Sequence, residues 1–284
     1  MMSFKILTLI FIMIHGTSLL ASPFVIYGED NRVEVSQTKN SLLRKAAYST
    51  AAMIARENLI PRQNETEITA PLFKEIYRLC PNERFKDQPA ASNCSGTLIE
   101  KDIILTAGHC FNEPGLSCKG YSWVFDYMKS DRYIVSSSSV YKCKNIISTK
   151  QDKKTNIDYA LIRLDRPVTD RLPVNIRLTG DVNSSDKLAV IGYPRGIPAK
   201  IAGNGDVLEN TPDFIRTNLD AYTMNSGSGV FNEKTGELEG ILVSGQMDFE
   251  STPQNCQKSR VLKSEDGQEI VTKIRTLWDQ IDRF

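Results

Sequence analysis

From residue 94 onward the apolar positions come in short bursts. Runs at 96–99, 103–106, 133–136, 159–164, 187–191, 200–201 and 214–219, with two more around Val230 and Ile241, are rich in Ile, Val, Leu, Tyr and Phe. The breaks between them carry turn chemistry, as in Glu113-Pro114-Gly115, Pro194-Arg195-Gly196 and Glu233-Lys234-Thr235-Gly236. Many short strands with Gly/Pro punctuation predict an all-β sandwich or barrel and argue against an α/β fold. The two ends of the chain read differently. Leu42, Leu43, Ala46, Ala47, Met53 and Ile54 recur at helical spacing and predict one amphipathic helix, ended by Pro61. Ile270, Val271, Ile274, Leu277, Trp278 and Ile281 form a second helical stripe, from about residue 268 to the end, and predict a C-terminal helix docked on a core edge.

The first residues have a different character. Lys5 precedes an apolar run from Ile6 to Ile14 that only Thr8 interrupts, and small residues follow it. The run is too short for a bilayer core of about 30 Å, so residues 1–21 are read as a secretory signal with cleavage after Ser18 or Ala21. The chain divides into that signal, an extension or prosegment at 22–79, and a main domain at 80–284. This places the protein outside the cytoplasm, either secreted or periplasmic.

Charge adds little. The 284 residues hold 35 basic and 34 acidic side chains, so no electrostatic case exists for nucleic acid or an anionic membrane as partner. The cysteines change the picture more. Cys80, Cys94, Cys110, Cys118, Cys143 and Cys256 all follow the signal, and an even count in an exported chain predicts disulfides. A zinc site would need thiolates at spacings that do not occur here, because only His15 and His109 are histidines and His15 leaves with the signal.

Three segments carry chemistry. Leu105-Thr106-Ala107-Gly108-His109-Cys110 places the one remaining imidazole at the end of an apolar run. Asp158 opens the run Tyr159-Ala160-Leu161-Ile162. Ser226 sits in Met224-Asn225-Ser226-Gly227-Ser228-Gly229. Acyl transfer by serine needs a base for the hydroxyl proton, a carboxylate to orient the base, and donors for the oxyanion. Taken singly, each segment also has an ordinary structural reading. Together they run in the order His, Asp, Ser, with gaps of 49 (158 − 109) and 68 (226 − 158) residues. That order separates them from the α/β-hydrolase and subtilisin arrangements, and Met224 and Ser228 exclude a G-x-S-x-G elbow.

Cys94-Ser95-Gly96-Thr97-Leu98-Ile99 leading to the His109 segment resembles the histidine block of the chymotrypsin/trypsin family, and Asp158-Tyr159-Ala160-Leu161-Ile162 resembles its aspartate block. Asn225-Ser226-Gly227-Ser228, Val190-Ile191-Gly192-Tyr193-Pro194 and Gly240-Ile241 are closer to the bacterial glutamyl endopeptidase branch. The resemblance covers roughly residues 90–280. It implies two antiparallel six-stranded β-barrels with the site between them, flanked by the N-terminal helical extension and the C-terminal helix. It implies His109 as general base, Asp158 as its orienting group, Ser226 as nucleophile, and the N–H groups of Met224 and Ser226 as the oxyanion hole, with no cofactor or metal. Substrates would be proteins or peptides, cut by a monomeric enzyme. It also implies a Cys94–Cys110 disulfide. For the other four cysteines, Cys118–Cys143 and Cys80–Cys256 are preferred among three possible pairings.

Two departures stand out. The family has glycine where this chain has Met224, and Asn225 offers no charge to a new N-terminal amine, which argues against trypsin-style activation. The residue six before the nucleophile, Asp220, is expected at the base of the specificity pocket, with Ser244 and Gly245 on the opposite wall. That predicts cleavage after lysine or arginine. Glutamate is disfavoured because no histidine is left to bind it. Val25-Ile26-Tyr27-Gly28-Glu29-Asp30-Asn31-Arg32 faintly resembles the mature start of glutamyl endopeptidases, which favours retention of the extension. The competing function is a silent homologue that binds peptides through the same cleft.

Overall fold

The computed structural model describes residues 25–111 and 117–281, so the predicted signal, the turn around Pro114 and the last three residues of the predicted C-terminal helix lie outside the described residues. Two closed antiparallel barrels of six strands each make up the body. In the first, Val140–Asp152, Ile157–Leu164, Ile103–Thr106, Ser92–Glu100, Thr50–Ala55 and Tyr121–Val124 follow one another around the wall. The last pairs back on the first through Val140 opposite Val124. In the second, the order is Lys187–Gly192, Gly229–Asn232, Leu238–Ser244, Glu269–Lys273, Phe214–Thr217 and Lys200–Asn210, which closes on Lys187–Gly192. Closure removes the sheet edges that an open antiparallel sheet would expose.

Large apolar groups fill both interiors. Trp123, Leu98, Ile104 and Leu161 are at most 1% exposed in the first barrel. Gly96 is required opposite that tryptophan, because a β-carbon there would stand 2.6 Å from the indole and 2.5 Å from Ile104. Leu188, Ile215, Val230, Leu242 and Val271 form the core of the second barrel.

Two predicted helices change type part-way. The first exists only as Ser41–Tyr48, capped by the Asn40 side chain on the N–H groups of Leu42 and Leu43. From Thr50 to Ala55 the chain is a barrel strand, so the segment 22–79 carries more than a helix. The C-terminal stripe is likewise split. Glu269–Lys273 is a strand, Ile274–Leu277 a 3-10 turn, and only Trp278–Ile281 is α-helical. The β-branched run Ile270-Val271-Thr272 favours the extended state, and pairing on both sides secures it.

Residues 25–37 lie along the second barrel. Ile26–Tyr27 pairs in parallel with Val261–Leu262, and Arg32–Glu34 pairs antiparallel with residues 200–202. The arm is pinned by polar groups as well. Arg32, buried, forks onto Asp30 and stacks 3.8 Å from the centre of the Tyr222 ring. Lys200, also buried, reaches Glu34, Gln88 and the Pro198 carbonyl, and burial lowers its pKa to about 8. Three disulfides join Cys94 to Cys110, Cys118 to Cys143 and Cys80 to Cys256. The third ties residue 80 to the loop before the final strands.

Candidate active site

The imidazole is held from the first barrel. The strand Ile103–Thr106 ends, and the turn Gly108–Phe111 presents His109. Its Nδ1 lies 2.6 Å from Asp158 Oδ2, and its backbone N–H donates to Asp158 Oδ1 at 3.0 Å. Both oxygens of the carboxylate are therefore committed to one residue, which fixes the ring and leaves Nε2 for chemistry. Glycine precedes the histidine for a steric reason. A β-carbon at Gly108 would stand 2.6 Å from the Lys150 carbonyl oxygen and 2.9 Å from Asp158 Oδ1. Asp158 is anchored across the cleft. Its N–H donates to Thr272 Oγ1 at 3.0 Å, and that hydroxyl donates to the Asn156 carbonyl at 2.7 Å. No local pattern marks Thr272 for this role, because it lies 114 residues away, on the second barrel.

Ser226 comes from the second barrel and is held against the first. Its carbonyl accepts from the Ser95 N–H at 2.8 Å, with the Cys110 sulfur 3.9 Å away, so the Cys94–Cys110 bridge backs Ser226. Gly227 has φ +81°, and a β-carbon there would meet Thr106 Oγ1 at 2.2 Å and the Ser95 carbonyl at 2.3 Å. Only glycine allows this approach. No hydrogen bond joins Ser226 Oγ to His109 among the described residues. Such contacts often tighten only when substrate is bound.

The N–H groups of residues 223–228 show a division. Thr223 donates to Asp248, Asn225 to the Tyr222 carbonyl, Gly227 to the Leu242 carbonyl and Ser228 to the Asn225 carbonyl. Met224 and Ser226 donate to nothing among the described residues. The carbonyls that precede them are pinned: Thr223 C=O accepts from the Arg195 N–H at 2.6 Å, and Asn225 C=O from Ser228 at 2.8 Å. In a trans peptide the N–H points opposite to the C=O, so both free donors are turned away from the loop's own partners. Met224 takes φ +69°, the left-handed conformation that favours glycine, and so occupies a glycine-like position without being glycine.

Asp220 is found in a different setting from the one expected. It is 1% exposed, and its oxygens accept from the Tyr27 N–H at 2.7 Å and the Asn31 N–H at 2.6 Å. The arm therefore takes up the carboxylate expected to face a substrate. Burial raises its pKa to about 6. Two further acids lie nearby. Asp248 is also raised to about 6 by burial, and Glu269, fully buried beside the Tyr27 hydroxyl, stands well above the usual carboxylate range because of desolvation, with the charges of Asp248 and Asp220 adding to it. Ser244 and Gly245, by contrast, lie half-exposed at the end of the strand Leu238–Ser244.

Residues 94–241 match the trypsin-like peptidase domain. The chain belongs to the trypsin-like peptidase family. Solved structures agree on its fold. A Glu endopeptidase, solved in complex with MPD, superposes with a TM-score of 0.54 at 16% identity, covering 91% of this chain and 98% of that one. The serine endoprotease from Yersinia pestis gives 0.51 at 15% identity over 87% of this chain and 67% of the other. The match of the peptidase domain spans all three chemical segments, and it starts at Cys94, the disulfide partner of the Cys110 whose sulfur lies against the Ser226 carbonyl.

Proposed function

We propose that this serine peptidase hydrolyses peptide bonds with His109 as general base and then acid, Asp158 as the group that orients it, and Ser226 as nucleophile. The observation that carries the reading is the pattern of free donors. Within residues 223–228 the N–H groups of Met224 and Ser226 alone are left unpaired among the described residues, beside a serine packed against the histidine loop. In the reaction Ser226 Oγ attacks the carbonyl carbon, its proton passes to His109 Nε2, and the tetrahedral oxyanion is met by those two N–H groups. The amine then leaves with the proton from His109, and water repeats the cycle on the acyl-enzyme.

The finer readings follow from the same region. A preference for a basic side chain before the scissile bond is the reading for Asp220, supported by its place six residues before Ser226, with Ser244 and Gly245 offering backbone groups to the substrate strand. No histidine is present there to hold glutamate. Residues 25–79 remain in the mature enzyme, because Thr50–Ala55 is a wall of the first barrel and the arm satisfies Asp220. The protein acts outside the cytoplasm, a reading supported by its three disulfides.

A fluorophosphonate probe tests the central claim. Wild-type enzyme should be labelled on Ser226, with the label lost in Ser226→Ala and strongly reduced in His109→Ala. A correctly folded protein that takes no label is a peptide-binding homologue instead. Peptides that differ only in the residue before the scissile bond test the rest. Equal cleavage after leucine and arginine ends the basic reading, and a mature N-terminus beyond residue 60 ends retention of the arm.

A further inference from the structure

The segment that ends in the nucleophile is braced by a buried pair that the catalytic reading leaves without a task. Asp248 is 1% exposed, far more buried than a surface-loop carboxylate. It pairs with Arg195 Nε, and its oxygens both lie 3.2 Å from the Thr223 N–H. Arg195 is held in turn by aromatic faces, with its guanidinium 4.5 Å from the centre of Tyr77 and 5.2 Å from that of Phe249. Its backbone, at φ +53°, sends the N–H to the Thr223 carbonyl at 2.6 Å. Thr223 is thus gripped at both ends: the Asp248 side chain takes its N–H, and the Arg195 backbone takes its C=O.

We infer that Asp248 and Arg195 form a clamp on Thr223 that sets the plane of the Thr223–Met224 peptide and so aims the Met224 N–H at the oxyanion. This rests on the proposed catalytic reading and assigns two positioning residues to it. The need for a clamp follows from the sequence of the loop. A residue other than glycine at φ +69° is under strain to leave that conformation. Asn225 spends its side-chain oxygen on the Ser228 hydroxyl at 3.1 Å, within the loop itself, and offers no charge to an outside partner. The remaining restraint on the hole side is Ser95 Oγ–H, which donates to the Met224 carbonyl at 3.3 Å. That bond fixes the far side of Met224 and leaves the orientation of its N–H to the Thr223 carbonyl. If the Thr223–Met224 peptide turned over, its C=O would point where the oxyanion forms, and one donor would be replaced by an acceptor.

Arg195→Ala and Asp248→Ala, with Thr223→Pro as a third variant, test the clamp. Proline deletes the N–H that Asp248 accepts, together with the threonine hydroxyl, at the second position of the turn closed by the Asn225 N–H on the Tyr222 carbonyl, where its φ is tolerated. Each preparation is first titrated with a fluorophosphonate, so that kcat refers to folded, reactive sites. Two inhibition constants are then measured: one for a peptide aldehyde, whose adduct places an oxyanion in the hole, and one for the corresponding product peptide, which does not. The clamp predicts that kcat per titrated site falls by roughly 10²–10³, the usual effect of losing one oxyanion donor. Aldehyde affinity should fall by a similar factor, while product-peptide affinity stays within about threefold. Variants that keep kcat per titrated site and aldehyde affinity within threefold of wild type overturn the clamp, even if they unfold at lower temperature. Equal losses in aldehyde and product affinity overturn it too, because the pair would then be shaping the binding cleft. If the alanine variants yield no folded protein, the same two ratios from Thr223→Pro decide. A wild-type enzyme that takes no fluorophosphonate defeats the catalytic reading itself and is told apart from these outcomes at the first step.

Discussion

Met224 offers the sharpest check on the site because its side chain and its backbone make opposite demands. At φ +69° an L residue pays roughly 1–2 kcal/mol for the left-handed conformation. Met224→Gly removes that cost but returns about 0.4–1 kcal/mol to the unfolded chain as entropy. The net expectation is between about 0 and 1.5 kcal/mol of added stability. At about 2–4 °C per kcal/mol for a chain of this size, the melting temperature should rise by up to about 6 °C. The N–H is retained in this variant, so kcat/KM on a chromogenic peptide should stay within about threefold of wild type or increase. Met224→Val also keeps the N–H but adds a β-branched side chain, which tolerates positive φ least. It should melt lower and lose tenfold or more in kcat per titrated site. If Met224→Gly loses more than tenfold in kcat with its titratable sites intact, the methionine side chain carries the function and the backbone argument fails.

Three further outcomes follow. Gly227→Ala must place a β-carbon 2.2 Å from Thr106 Oγ1 and 2.3 Å from the Ser95 carbonyl, at φ +81°, so it should cost about 2–5 kcal/mol and abolish fluorophosphonate labelling. Labelling at the wild-type rate would show that the close approach is not needed. Thr272→Val leaves the Asp158 N–H and the Asn156 carbonyl without their partner, which costs about 1–3 kcal/mol, and kcat should fall while KM barely changes; a selective rise in KM would refute the positioning role. Asp220 provides a pH signature. Burial raises its folded pKa to about 6 from the ordinary 3.8, so its contribution to stability is fully present below about pH 4 and is lost as pH rises through 6. In urea unfolding, Asp220→Asn should gain about 1–3 kcal/mol relative to wild type between pH 4 and pH 7, and a pH-independent difference would sink this assignment.

The chemical segments were legible because each is a contiguous string whose residues serve one local purpose. Gly108 lets His109 meet Asp158, and Gly227 lets Ser226 reach the first barrel, so the glycines sit beside the groups they serve. The barrel strands with buried, β-branched runs were legible for a related reason. Others gave no such signal. Thr50–Ala55 is buried along nearly all its length, so it shows no alternation, and its Met53 and Ile54 continue the spacing of the preceding helix. Val140–Asp152 is mostly exposed and polar, and its ladders with Ile157–Leu164 and Tyr121–Val124 make it a strand. Glu269–Lys273 shares its apolar positions with the turn and helix that follow.

What remained illegible in the site is long-range. Thr272 reaches Asp158, Ser95 reaches Ser226 and Met224, Asp248 reaches Thr223, and Tyr27 reaches Asp220 across 193 residues. None of these pairs is marked by a local motif. Asp220 shows the consequence. Counting back from Ser226 locates the residue correctly in the chain, but its role depends on which backbone N–H groups arrive from elsewhere. Here they come from the arm, which occupies both carboxylate oxygens. An acid six residues before Ser226 is therefore not enough by itself to define a pocket for a basic side chain. The charge left on Asp220 is what remains after each N–H and guanidinium that the fold has already set against it.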